Sequence, residues 1–257
     1  MPTNSVVSAF RVLETVAEEQ PVGLSELSRM VDLPKSTVQR CLLTLHELGW
    51  LRPSSAAPTR WSLTYRAFSV GSKARDHQQI RETALPTLNE LQLATTETIH
   101  LCAPDGREMV LIERLDTAHA LRAFMPLGQR IPMHASATGQ AFLAAQPDDA
   151  VRSYVADGLA PRTPSTITDA DVLWETIEQI RGRGYSINDQ GLSTGITAIG
   201  AAILDAKEQP LASVSVSGPT SRITAEKFET YGLAVHAATQ TIRDALLRFD
   251  LESARGV

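Results

Sequence analysis

The sequence predicts an α+β chain of two domains, a small helical unit with a hairpin followed by a larger body of antiparallel hairpins flanked by helices. Three observations lead there. The chain has 257 residues, more than one typical domain of about 100–200. Three short helical patterns come in quick succession at the start, and strand and helix patterns mix after them. Charge also divides: residues 1–75 carry 9 Lys+Arg against 6 Asp+Glu, and residues 76–257 carry 15 against 23, so a head of +3 precedes a body of −8 within a net charge of −5. A basic head on an acidic body suits a nucleic-acid reader joined to a unit with another task.

The first helix runs from Val6 to about Glu19, with Val6, Phe10, Leu13 and Val16–Ala17 on one face. Pro21-Val22-Gly23 breaks it. Ser25 is the expected N-cap of a second helix through Met30–Val31, with Leu24, Leu27 and Val31 inward. Asp32-Leu33-Pro34 makes a tight turn, and Pro34 suits the first position of a third helix because no helical partner awaits its missing N–H. That helix carries Val38, Leu42 (or Cys41), Leu45 and Leu48, and ends at Gly49. Trp50-Leu51-Arg52 and Arg60-Trp61-Ser62-Leu63 alternate as two strands around the turn 53–58.

Two helices joined by three or four residues, the second rich in small polar and basic groups at its start, form a helix-turn-helix, and the hairpin is its wing. Lys35, Ser36, Thr37, Gln39 and Arg40 are the expected major-groove face. Hydroxyls and N–H groups at a helix start suit phosphate, and Gln or Arg reaches base edges. Ser25 and the wing arginines Arg52 and Arg60 are expected on the DNA as well. A protein-interaction module would instead show apolar residues on that face.

Tyr65 to about Gln79 reads as a linker helix, giving domains 1–64, 65–80 (linker) and 81–257. A helix follows around Glu82–Ala94, with Pro86 near its first turn. Thr98–Ala103 and Met109–Arg114 form a hairpin over Pro104-Asp105-Gly106-Arg107, and Leu121–Met125 is a third short strand. Thr168 and Asp171 cap a helix to about Arg181, ended by Gly182 and Gly184. Ala198–Leu204 and Leu211–Ser217 form another hairpin, and a long amphipathic helix from Ala225 to about Phe249 closes the chain. Hairpins with flanking helices give an antiparallel sheet in an α+β domain.

Composition sets the class. With 43% hydrophobic and 21% charged residues, a core forms without staples. No run approaches the ~18 apolar residues of a membrane span, and the N-terminus lacks a secretory signal. Cys41 and Cys102 have no paired spacing, so neither a disulfide framework nor a metal site is expected, and a reducing cytoplasm fits. His100, His119 and His236 are scattered, and no cofactor is expected.

The chain resembles the IclR family over essentially its whole length. The head matches through 33–40 (LPKSTVQR), Leu45, and Leu48-Gly49-Trp50-Leu51. The body matches through 126–139 (PLGQRIPMHASATG), 183–189 (RGYSIND), Gly195 with Ile199, and 213–219 (SVSVSGP) followed by Arg222-Ile223-Thr224. The resemblance implies a GAF-like effector domain, a homodimer or dimer of dimers, and palindromic double-stranded DNA operators.

From the residues alone, Ser136 can cap the helix Gln140–Ala145, whose first N–H groups would attract a carboxylate; a simple cap with close packing is equally compatible. The resemblance places Ala120, Ala123, Ile131, Ala137, Thr138, Asn188, Ala198, Ser215 and Ser217 at effector-contact positions. Asn188-Asp189-Gln190-Gly191 stands where the family often has four acids, and Ala198 where it often has Cys, which lowers repulsion toward an anion and removes metal ligands. Small Ala120 and Ala123 suggest a roomier cavity and a carboxylate larger than pyruvate or glyoxylate, such as an aromatic acid. The alternative is a hydrolase-like enzyme, with His134 as base, Ser136 as nucleophile and Asp189 as orienter, but Gly-x-Ser-x-Gly, Walker and dinucleotide motifs are absent.

Overall fold

The computed structural model describes residues 1–55, 57–73 and 75–254. The chain divides into two units, Met1–Arg75 and Asp76–Val257.

In the first unit, α1 (Asn4–Glu19), α2 (Leu24–Met30) and α3 (Lys35–Glu47) pack around a core that includes Val12, Val16, Leu27, Val38, Leu42 and Leu45. The first helix is rotated from the expected face. Val12 and Val16 are buried, whereas Val6 and Phe10 are exposed, because α3 and the wing fix which side of α1 is covered. Leu48 is likewise exposed. Ser25 does not cap α2. Gly23 occupies that position and its N–H donates to Glu26 Oε2 at 3.0 Å. Pro34 is the N-cap of α3, not its first residue, and its carbonyl accepts from Thr37 and Val38. A strand unforeseen in sequence, β1 (Val22–Gly23), adds to β2 (Leu51–Pro53) and β3 (Arg60–Leu63) in the order β1-β3-β2. The expected single linker helix is two, α4 (Tyr65–Gly71) and α5 (Arg75–Thr95). Pro86 is therefore inside α5 and not near a helix start. Ala56 of the wing turn and the side chains of 74–78 in the linker lie outside the described residues.

The second unit is built on a six-stranded antiparallel sheet, β6-β5-β4-β9-β8-β7. Its strands are β4 (Thr98–Asp105), β5 (Glu108–Leu115), β6 (Arg130–Pro132), β7 (Ser186–Asp189), β8 (Ile196–Leu204) and β9 (Pro210–Pro219). Leu121–Met125 is not a strand; β6 takes the free edge of β5 instead, and 116–129 is irregular. Helices α5 and α9 (Ala225–Ala254) cover one face through Leu88, Ile99, Leu101, Val214, Val216 and Ile242. The other face packs on α6 (Ala137–Ala144), α7 (Asp148–Ala156) and α8 (Ala170–Arg183) through Cys102, Met109, Leu111, Phe142, Val151 and Ile177. The N-cap of α8 is Asp169, one residue after the expected Thr168, and accepts from Asp171 and Val172. Among the described residues no helix is long and apolar enough to cross a membrane.

Candidate functional site

Two candidate surfaces follow, one in each unit. On the head, Val38, Leu42 and Leu45 turn one side of α3 into the core, so helical geometry sends the residues between them outward. Lys35, Ser36, Gln39 and Arg40 are exposed and Thr37 is half-buried. Their spacing gives one contiguous face over the first two turns. Ser25 on α2 and Arg52 on β2 are also exposed. Arg60 differs. Its guanidinium meets Glu26 twice at 3.2 Å and donates to Pro21 O at 2.8 Å, which ties β3 to the α2 start. The Gly23 N–H, and then Arg60, hold the Glu26 carboxyl below the usual carboxylate range.

In the body, sheet register assembles the second surface. Strand alternation sends Val214 and Val216 toward the α5 and α9 side and leaves Ser213, Ser215 and Ser217 facing the other way. Pairing then sets Asn188 opposite Ala198 and Ala198 opposite Ser217 in one cross-strand row. A neighbouring row runs Arg114, His100, Ser215, Gly200, Ser186. Above this floor stands the start of α6. Ser136 Oγ accepts the Gly139 N–H at 3.1 Å and Ser136 O accepts from Gln140, leaving the Ala137 and Thr138 N–H groups as the free first-turn donors.

Small residues make this close approach possible. A Cβ on Gly200 would come within 2.9 Å of the Ala137 carbonyl, and Ser186 Oγ donates to that carbonyl at 2.7 Å. On the opposite side of the turn, a Cβ on Gly139 would sit 2.2 Å from the Met133 backbone. The helix start is thus clamped between sheet and preceding turn.

Between them lies a cavity of about 60 Å³. At roughly 10–15 Å³ per water-sized group it has room for about four to six. Ala123, Ile131, Ala137, Thr138, Asn188, Ala198, Ser215 and Ser217, all singled out from sequence, line it. Ala120 does not; it is exposed on the 116–129 segment. Asn188 Oδ1 accepts the Gly191 N–H at 3.0 Å, so its amide N–H remains as a donor. Thr138 Oγ1 is buried against the Cys102 thiol and, among the described residues, has no nitrogen or oxygen partner.

Segment 116–129 roofs the cavity with Ala123, Phe124 and Met125. Arg114 holds this roof: its guanidinium lies 4.2 Å from the Phe124 ring centre, donates to Met125 O and pairs with Asp116 at 2.9 Å. A second tie comes from Arg222, which donates to Leu121 O at 2.9 Å while gripping the buried Glu97 at 2.6 and 2.7 Å.

Sequence reasoning missed His100 and Cys102, which also line the cavity. The available signal was Thr98-Ile99-His100-Leu101, a polar group at every second place of an apolar strand. Burial lowers the His100 imidazole to about 4, with Arg114 adding to the effect and Asp116 opposing it. Burial pushes the Cys102 thiol up to about 12, which leaves it a thiol at neutral pH.

The arrangement does not assemble a hydrolase. His134 is buried, with Nδ1 on the Tyr154 hydroxyl at 2.7 Å and Nε2 on Ala160 O at 2.9 Å. The Ser136 hydroxyl donates to Pro132 O while capping α6. Asp189 accepts instead from Thr197 at 2.8 Å. Among the described residues no group of three His, Cys, Asp or Glu side chains could hold a metal.

Comparison with known proteins matches each unit to a known domain. Residues 5–55 match the IclR helix-turn-helix domain, and residues 72–244 match the C-terminal domain of the bacterial transcriptional regulator IclR. The chain is 31% identical over 241 residues to the transcriptional regulator KdgR of Escherichia coli, covering 93% of this chain and 91% of that one. It is 32% identical over 242 residues to the E. coli transcriptional repressor IclR, covering 93% and 88%. The crystal structure of Thermotoga maritima IclR superposes with a TM-score of 0.76 at 28% identity over 95% of this chain and 98% of that one. An IclR homologue from Microbacterium hydrocarbonoxydans, crystallised with 4-hydroxybenzoate, shares the fold with a TM-score of 0.82 at 22% identity, over 95% and 99%. The matched relatives are transcription regulators and not enzymes, and this chain, with a helix-turn-helix head and an effector-binding body, belongs to the IclR family of bacterial transcriptional regulators.

Proposed function

We propose that Lys35, Ser36, Thr37, Gln39 and Arg40 enter the major groove of a palindromic operator, with Ser25 and Arg52 on its backbone, and that a small carboxylate in the body's cavity controls this binding. Residues 1–64 are then the DNA-binding domain and 81–257 the effector domain. A homodimer, or a dimer of dimers, presents recognition helices about 34 Å apart, one helical turn of DNA. The effector acts by binding the DNA-competent and incompetent arrangements unequally, and operator occupancy shifts by that difference.

The observation that carries the carboxylate reading is the α6 start. Ala137 and Thr138 line the cavity, with the Thr138 hydroxyl buried against the Cys102 thiol, and a helix N-terminus with free donors favours an anion. The Asn188 amide adds an uncharged donor. Room for about four to six water-sized groups suits a compact ring acid, and the Microbacterium homologue was crystallised with one.

Calorimetric titration of the full chain with benzoate and with glyoxylate tests the effector class. Benzoate should bind, and binding of glyoxylate alone rejects the larger acid. A gel shift on the chain's own upstream promoter fragment tests the head, where affinity should fall steeply with salt. A folded chain that ignores the fragment, or binds it independently of salt, contradicts the reading.

A further inference from the structure

We propose that His100 is a specificity-determining residue of the cavity, whose Nε2 hydrogen-bonds an uncharged oxygen substituent at the far end of the bound acid from its carboxylate. This rests on the carboxylate reading above and adds the second half of the ligand.

His100 is 1% exposed, yet Nε2 has no hydrogen-bond partner. Its other nitrogen is engaged, with Nδ1 3.2 Å from Ser217 Oγ. A buried polar atom without a partner is uncommon and destabilising, and here the side chain belongs to a cavity wall. A ligand atom at that wall removes the deficit.

The position of His100 separates it from the carboxylate end. Ala137 rests on Gly200. Gly200 pairs with Ser215, and Ser215 pairs with His100. Two strand spacings, about 9–10 Å, lie between the two backbones. Thr138 itself stands against Cys102 on β4, so the span is set from the Ala137 end: an acid whose carboxylate meets the Ala137 N–H over Gly200 can lay its opposite end across β9 to His100.

Chemistry selects what that end carries. Burial and the facing Arg114 keep the imidazole uncharged at neutral pH, with Asp116 opposing. The other groups around it are the Ser215 and Ser217 hydroxyls on β9 and the Cys102 thiol on its own strand. The Arg114 guanidinium is committed to Asp116, Met125 O and the Phe124 ring. A second carboxylate would thus meet a cation already paired with Asp116. A hydroxyl, both donor and acceptor, satisfies Nε2 in either tautomer, so the predicted class is a monocarboxylic acid with a remote hydroxyl.

The test is calorimetric titration of the full chain with benzoate, 4-hydroxybenzoate and terephthalate, on wild type, His100→Asn and His100→Gln. Asn retains a group at the Nδ1 position and deletes the one at Nε2; Gln retains reach toward Nε2. Wild type should prefer 4-hydroxybenzoate to benzoate at least tenfold and bind terephthalate more weakly than either. His100→Asn should reduce the preference to within about twofold by weakening 4-hydroxybenzoate far more than benzoate, and His100→Gln should restore part of it. An undiminished preference in folded His100→Asn, or terephthalate binding as tight as 4-hydroxybenzoate, overturns the role of His100 while leaving the carboxylate site standing. Failure of all three acids to bind wild type overturns both.

Discussion

The head and the body solve the same problem, presenting polar groups to a ligand, in opposite ways. The head takes its polar row from five of the six positions 35–40 on one helix, with Val38 turned into the core, and leaves most of it in water. The body draws its polar groups from β4, α6, β7 and β9 and buries them. Exposed donors on a helix need only the helix to form. Buried ones need correct strand register, small residues for clearance, and a ligand to complete their hydrogen bonds. The body should therefore respond to packing and pH, and the head to salt and sequence.

The largest expected effect is at the clamp around α6. Gly139→Ala puts a methyl onto the Met133 backbone and should destabilise the body by about 3 kcal/mol, at the upper end for overpacking. Thermal melting followed by circular dichroism checks it; an unchanged midpoint removes the clamp from the account.

Acid should separate the units next. The His100 pKa is lowered from 6.5 to about 4 in the folded chain, so protonation favours the unfolded chain. The associated stability is complete above about pH 6.5 and lost as pH falls toward 4, by up to about 3 kcal/mol. Burial lowers His134 as well, in the same direction. Denaturant unfolding between pH 7 and 4 should show this loss, and His100→Asn should flatten much of it. An equally steep profile in the variant assigns the effect elsewhere.

On the head, Gln39→Ala should cost about 1–3 kcal/mol of operator affinity and relax discrimination at one base position. Lys35→Ala should weaken all sequences alike and lower the salt slope by about one ion. Competition binding against scrambled DNA at several salt concentrations distinguishes them. Uniform weakening by Gln39→Ala would assign it to phosphate.

The smallest effect contrasts the two wing arginines. Arg52→Ala should reduce the salt slope like Lys35→Ala. Arg60→Ala, whose guanidinium is held by Glu26 and Pro21, should lower the melting midpoint slightly and leave the slope unchanged. Equal slopes for both variants would mean that Arg60 leaves Glu26 on DNA.

Much was legible beforehand because it depends on neighbours in sequence. Periodicity located α1–α3, the β4–β5 and β8–β9 hairpins and the closing helix. The polar start of α3 follows from Pro34 and the spacing of Val38, Leu42 and Leu45, so the head's candidate face needed no tertiary information. Motif resemblance supplied half of the cavity lining, Ser215 and Ser217 included. Ala120 failed because a loop residue's facing is not set by any local period, and the roof segment 116–129 was mistaken in part for a strand because short apolar runs look alike in loops and strands.

By itself, then, the sequence determined the element types, the two-part organisation and the head's outward row, all products of local geometry. Only the tertiary structure decided that Val6 and Phe10 stay exposed, that Arg60 is tied to Glu26, and that His100 stands in line with Ser215 and Gly200. Those outcomes depend on pairing between segments as much as 115 residues apart, as His100 and Ser215 are. Register and helix docking are long-range choices, fixed by the burial of whole faces and not by the residues beside each side chain.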